Sequence, residues 1–140
     1  MILVSACLLG ENCKYNGGNN RRENVCRFLA GKDHVTFCPE QAGGLPTPRL
    51  PSERRGDRVI NRAGEDVTGA FVLGAERTLE LCRSRDVTLA ILKQGSPSCG
   101  SRCIYDGSFS GTKIPAQGVT AELLCREGIR VISKEDVGEE

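Results

Sequence analysis

Residues 87–100 read VTLAILKQGSPSCG, and the change of character halfway along this stretch decides the fold. VTLAILK is a near-continuous apolar run of strand length, the pattern of a strand covered on both faces, as strands of parallel sheets are. Directly after it, QGSPSCG brings turn formers and a cysteine, so the chain leaves the sheet in a loop that exposes backbone. The same change occurs twice earlier: ILVSA at 2–6 runs into Cys7 and on to Gly10, and HVTFC at 34–38 runs into Pro39 and Glu40.

Helical patterns fill the intervals. RRENVCRFLAG at 21–31 ends in a glycine stop, and Val67, Phe71, Ala75, Leu79 and Cys82 recur at spacings of three and four, marking one face of a helix over 66–83. VTAELLCREG is a short helix stopped by Gly128, and IRVIS is a last strand. Strands alternating with helices predict the α/β class: one three-layer domain over residues 1–140, with a mostly parallel sheet and cysteines at the C-terminal ends of its strands. Residues 43–64, rich in Gly, Pro and Arg, and residues 101–117 are excursions from this alternation, the first with room for a small hairpin around RVINRAG.

Nineteen Lys and Arg against eighteen Asp and Glu give a formal net charge of +1, so no global field recruits nucleic acid or a membrane surface. The apolar N-terminus has no charged leader and meets Glu11 and Lys14 too soon for a signal peptide or a membrane span, which points to a cytoplasmic protein. In that compartment eight cysteines serve metals or catalysis more often than disulfides. With His34 the single histidine, a metal centre here is mostly thiolate.

Context sorts the cysteines. Cys26, Cys82 and Cys125 lie in helical patterns beside apolar residues and read as small core hydrophobes. Cys7, Cys38 and Cys99 each stand at the end of a predicted parallel strand, the edge where open α/β sheets bind ligands, so three thiols distant in sequence are expected to meet. Cys13 and Cys103 follow two of these closely and open CKYNG and CIYDG; each reads as a ligand, a sulfur acceptor or a loop residue. No Cys-x-x-Cys knuckle of the structural zinc type occurs, and three dispersed thiolates suit a 4Fe-4S cluster with one iron lacking a protein ligand.

SACLLGENCKYNG (5–17), CPEQAGGLPTPR (38–49), DVTGAFVLGA (66–75), LKQGSPSCG (92–100) and IYDGSFSG (104–111), in this order, resemble the family of small bacterial proteins that includes the thiouracil desulfidases. The resemblance covers essentially the whole chain. It implies an α/β fold, an oxygen-sensitive 4Fe-4S cluster that protein prepared in air is expected to lose, and removal of sulfur from a thiolated pyrimidine to give the oxo base and hydrosulfide. Residue by residue, it implies Cys7, Cys38 and Cys99 as the cluster ligands. It also involves neighbouring acidic and hydroxyl groups in proton transfer, for which the candidates are Glu40, Ser96 and Ser98, with Asp106 a turn residue or a second base. Lys93 and Arg49 offset the negative charge of a thiolate centre or serve structure, and Tyr105 has a planar ring for a base. The expected partner is a small thiolated base, since no aromatic platform exists for a long nucleic-acid strand.

Two other functions suit parts of the sequence. One is a cluster- or zinc-bearing module without turnover, in which NRREN and RLPSERRGDR touch RNA phosphates. The other is a metal-free sulfur carrier with Cys99 as persulfide donor and Cys103 as resolving thiol, which requires a thiolate of low pKa at Cys99.

Overall fold

The computed structural model describes residues 1–133 and 135–137. In chain order the elements are β1 (Ile2–Ser5), a 3-10 turn (Ala6–Leu9), α1 (Glu23–Leu29), β2 (His34–Phe37), α2 (Pro39–Ala42), β3 (Ser52–Arg55) and β4 (Arg58–Asn61). They continue as α3 (Thr68–Ser84), β5 (Leu89–Leu92), β6 (Ile104–Tyr105), β7 (Lys113–Ile114), α4 (Val119–Arg126) and β8 (Arg130–Ser133). The central sheet is parallel throughout, in the order β2-β1-β5-β8, with Val4 opposite both Thr36 and Ile91, and Ile91 opposite Ile132. From β1 the chain builds to one side at β2 and to the other at β5, which makes the gap beside β1 the topological switch point.

Alternation along the strands divides the core into two faces. Leu3, Ala90 and Leu92 point to one side and pack with Leu79 and Cys82 of α3 and with Ala121 and Leu124 of α4. Val4, Ile91 and Ile132 point to the other and pack with Leu8 and with Val25 and Leu29 of α1. The expected three-layer α/β arrangement is therefore present, with its heavier helical layer formed by α3 and α4.

The two excursions carry small antiparallel hairpins, β3–β4 and β6–β7. RVIN is the second strand of the first hairpin, and the turn is Gly56-Asp57, upstream of the expected centre at RVINRAG. Of the three cysteines read as core packing, Cys82 alone is fully buried; Cys26 is half-buried and Cys125 exposed. The physical reason lies in facing: α4 turns Thr120, Ala121 and Leu124 inward, which leaves Cys125 beside the solvent, where its Sγ accepts from Gln117 Nε2 at 3.4 Å.

The short helix α2 was not legible in the sequence, and a pair of glycines holds it in place. A Cβ on Gly43 would stand 2.0 Å from the Ala70 carbonyl oxygen, and one on Gly74 would stand 2.1 Å from the Pro39 carbonyl oxygen. The backbones of α2 and α3 thus touch at the segment that carries Cys38 and Glu40, and Arg77 NH1 adds a hydrogen bond to the Ala42 carbonyl. Gly74→Ala or Gly43→Ala is expected to lower unfolding stability by about 1–3 kcal/mol or more, as overpacking does. Gly69→Ala, whose Cβ meets nothing within 4 Å, is expected to be neutral or slightly stabilising; denaturant melts of the three variants check this.

Candidate active site

At the carboxyl edge of β1, β2 and β5 lies a cavity of about 430 Å³ whose wall includes Cys7, Cys38 and Cys99. The three thiols expected to converge from strand-end position do line one space. Cys13 joins them: it is buried, on the same wall, and its carbonyl oxygen accepts from Cys38 Sγ at 3.9 Å and from Arg49 NH2 at 3.0 Å. Cys103 lies outside the wall, and its amide donates to Gln94 Oε1 at 3.2 Å.

The thiols differ in their electrostatics. A hydrogen bond from the Cys13 thiol brings Cys7 down from 9.0 to about 6 against the opposing effect of burial, with Asn20 and the positive charge of Lys93 helping. Asn20 Nδ2 stands 3.7 Å from Cys7 Sγ. The Cys13 thiol also lowers Cys38 to about 7, while Cys13 itself, hydrogen-bonded to both neighbours, is held far above the usual thiol range. Cys99 is buried, and desolvation pushes it up to about 12 although Ser5 Oγ donates to its sulfur at 3.6 Å. Ser5 is held for that task, because its Oγ accepts from the Lys93 amide at 3.2 Å.

Glu40 reaches the wall from the first turn of α2. Its Oε1 accepts from Arg49 Nε at 3.2 Å and its Oε2 from Ser96 Oγ at 3.4 Å. Ser96 Oγ in turn accepts from the amides of Ser98 and Cys99, at 3.0 and 3.1 Å. One hydroxyl therefore shapes the Cys99 turn and connects it to the carboxylate. Ser98 has a different place: buried and off the cavity wall, its Oγ shares a 2.7 Å hydrogen bond with Thr120 Oγ1. Its carbonyl oxygen accepts from the amides of Thr120 and Ala121, which seats the loop on α4. Asp106 is a half-buried loop residue whose Oδ1 accepts from the amide and hydroxyl of Ser108.

Several residues arrange the site in ways the sequence left open or did not signal. Arg49 is almost wholly buried and joins Glu40, the Pro46 and Cys13 carbonyls and the Thr47 hydroxyl through its fork of donors. Gln94 Oε1 accepts from the amides of Ser101, Arg102 and Cys103 and so folds the turn after Cys99. Arg102 ties the same turn to Asp136. Three of the four arginines of RLPSERRGDR are spent internally: Arg49 as above, Arg54, which pairs with Glu122 and donates to the Gln117 carbonyl, and Arg55, which donates to the Gly107 carbonyl.

An open parallel α/β sheet with thiols gathered at its switch point, beside a carboxylate and a hydroxyl, is an enzyme of soft-sulfur chemistry. The family model for 2-thiouracil desulfurase matches residues 2–136, and the chain belongs to that family. It is 42% identical to the uncharacterized protein YbbK of Bacillus subtilis (strain 168) over 149 positions, covering 99% of each chain. A solved structure of the 4Fe-4S-dependent thiouracil desulfidase TudS matches with a TM-score of 0.93 at 46% identity, over 99% of this chain and 93% of that one.

In metal-free protein the two depressed thiols are expected to ionise in sequence, Cys7 near pH 6 and Cys38 near pH 7, with Cys99 protonated well beyond both. Because the folded values of Cys7 and Cys38 lie below 9.0, their contribution to stability is present above that pH and is lost as pH falls through about 7 and about 6. Thiolate absorbance against pH, compared with Asn20→Ala, checks it; the variant should shift the first step upward.

Proposed function

We propose that this protein is an iron–sulfur-dependent desulfidase that removes sulfur from a thiolated pyrimidine, yielding the oxo base and hydrosulfide. The reading is carried by the cavity where thiols from the ends of β1, β2 and β5 face the Glu40–Ser96 pair. Family membership supports the reaction class.

The donor set fits a 4Fe-4S cluster. Cys7, Cys38 and Cys99 are soft ligands from three separate loops, and two of them favour the thiolate. Hydrogen bonds from Asn20 and Ser5 already address the sulfurs of Cys7 and Cys99, as supporting groups do at metal centres. Among the described residues no three His, Cys, Asp or Glu side chains converge as they would on a single ion. When bound, an iron without a protein ligand supplies a soft Lewis acid for the substrate sulfur.

The chain's own groups handle the proton and the water. Glu40 takes the proton from a water attacking the ring carbon that bears the sulfur, on a carboxylate lone pair left open beside the hydrogen bond that Ser96 donates to Oε2. Arg49 holds the other oxygen. Overall, water supplies the ring oxygen, its two protons leave with the departing sulfur or to solvent, and no electrons are exchanged. Ser98 acts through the loop rather than on the substrate. The cytoplasm is the compartment that suits eight free cysteines, and no helix among the described residues is long and apolar enough to cross a membrane.

The alternative of a sulfur carrier built on Cys99 is disfavoured by the same geometry, since burial opposes the thiolate and Cys103 stands off the wall. The test is anaerobic reconstitution with iron and sulfide, followed by assay of hydrosulfide release from 2- and 4-thiouracil. Cys7→Ala, Cys38→Ala and Cys99→Ala should each lose both iron and turnover. Glu40→Gln, which preserves the acceptor for Arg49, should keep its iron and lose on the order of 10²-fold or more in turnover. Turnover that survives loss of Cys7 and Cys38 would sink the cluster reading.

A further inference from the structure

Both tyrosines and two of the four phenylalanines of this chain line the cavity, in a protein without tryptophan. A scarce resource is concentrated at the cavity, and one of these rings is held at a conformational cost. Phe109 has φ 57°, one of two non-glycine residues in the left-handed region among the described residues; the other is Asp86, a residue type that visits this region readily. For a bulky aromatic it is an outlier, and such outliers persist only where the surroundings impose them.

The surroundings do impose it. The largely buried carboxylate of Glu53, on β3, accepts through Oε1 from the amides of Gly107 and Phe109, at 3.0 and 3.1 Å. Arg55, two residues along the same strand, donates through Nε to the Gly107 carbonyl at 2.5 Å. Gly107 itself has φ 95°, and a Cβ there would stand 2.2 Å from Arg55 Cγ. The loop that carries the ring is thus clamped to β3 through two of its amides and a carbonyl. Arg62, also on the cavity wall, places its guanidinium carbon 5.8 Å from the Phe109 ring centre.

We infer that Phe109 is the ring on which the planar heterocycle of the substrate stacks, with Glu53 as the positioning residue that holds it at the cavity wall. The inference rests on the desulfidase reading for the identity of the ligand. Stacking recognises the flat π face of a pyrimidine without reading its substituents. It leaves the edge of the base, where sulfur is replaced by oxygen, to the polar groups and thiols. Arg62 adds a cation beside the same π system.

The experiment measures affinity of the intact, anaerobically prepared protein for uracil, the unreactive oxo base, and for dihydrouracil, whose ring is no longer flat, by NMR titration. Uracil should bind more tightly than dihydrouracil. Phe109→Leu should lose about tenfold or more in uracil affinity and most of that discrimination, whereas Phe109→Tyr should retain both. Phe109→Gly separates binding from folding, because glycine adopts the left-handed conformation freely. It should leave the unfolding midpoint little changed and still lose affinity. Glu53→Ala should weaken uracil binding as Phe109→Leu does, and Glu53→Gln, which keeps an acceptor oxygen, should restore most of it.

Unaltered uracil affinity in Phe109→Leu overturns the inference, as does a Phe109→Gly variant that is destabilised yet binds normally. Phe109-dependent uracil binding in a protein that releases no hydrosulfide from thiouracils upholds the stacking role and removes the desulfidase reading. Hydrosulfide release with an unchanged KM in Phe109→Leu does the reverse.

Discussion

Where the chain leaves β1 it turns to one side to build β2, and it later returns on the other side to build β5; the loops that follow these strands therefore diverge and leave a cleft. Cys7, Cys38 and Cys99 reach that cleft because each lies a few residues beyond its strand, on a loop that has to pass the opening. A sheet of the same strands built outward in one direction would have no such reversal, and its loops would lie side by side without a gap. The thiol centre is in this sense a product of strand order.

A cleft lined by loops has to be made rigid by something other than helix or sheet, and here hydrogen bonds to loop backbone provide it. Arg49 joins α2, the proline-rich segment and the Cys13 loop; Gln94 gathers three amides beyond Cys99; Glu53 gathers two in the loop that bears Phe109. Each is a polar group at least partly withdrawn from water and matched to partners whose own hydrogen-bonding needs would otherwise go unmet. Among the described residues, no fully buried side-chain nitrogen or oxygen lacks a partner. The Gly43–Gly74 contact does the same work by close approach, pressing the Cys38–Glu40 segment onto α3.

The thiols are unequal in a way that bears on how a metal centre is assembled. Cys7 and Cys38 share the Cys13 proton and favour ionisation, whereas Cys99 is enclosed and keeps its proton. Because a thiol must be deprotonated to serve as a ligand, loading the site releases protons, and Cys99, whose thiol form burial favours, contributes one. Ser5, already hydrogen-bonded to that sulfur, is placed to stabilise the thiolate once it forms.

Periodicity and turn chemistry were enough to read the parallel α/β class, the long helix, and the three cysteines at strand ends, because these features depend on spacing within a few residues. The resemblance to the desulfidases, carried by ordered motifs along the chain, was legible in the same way. What the sequence could not separate was which of two serines, two residues apart, faces the cleft: Ser96 bonds to Glu40 and Ser98 to Thr120, partners 56 and 22 residues away. It also left open whether Arg49 was a surface charge or a buried brace, gave no hint of Asn20 or Glu53, and placed Cys125 in the core, although α4 turns that side chain outward. The physical reason is common to all of these. A local pattern determines which way a segment folds, but the partner of a polar side chain is chosen by whatever distant segment the topology brings within about 3 Å, and that is decided only when the whole sheet has closed.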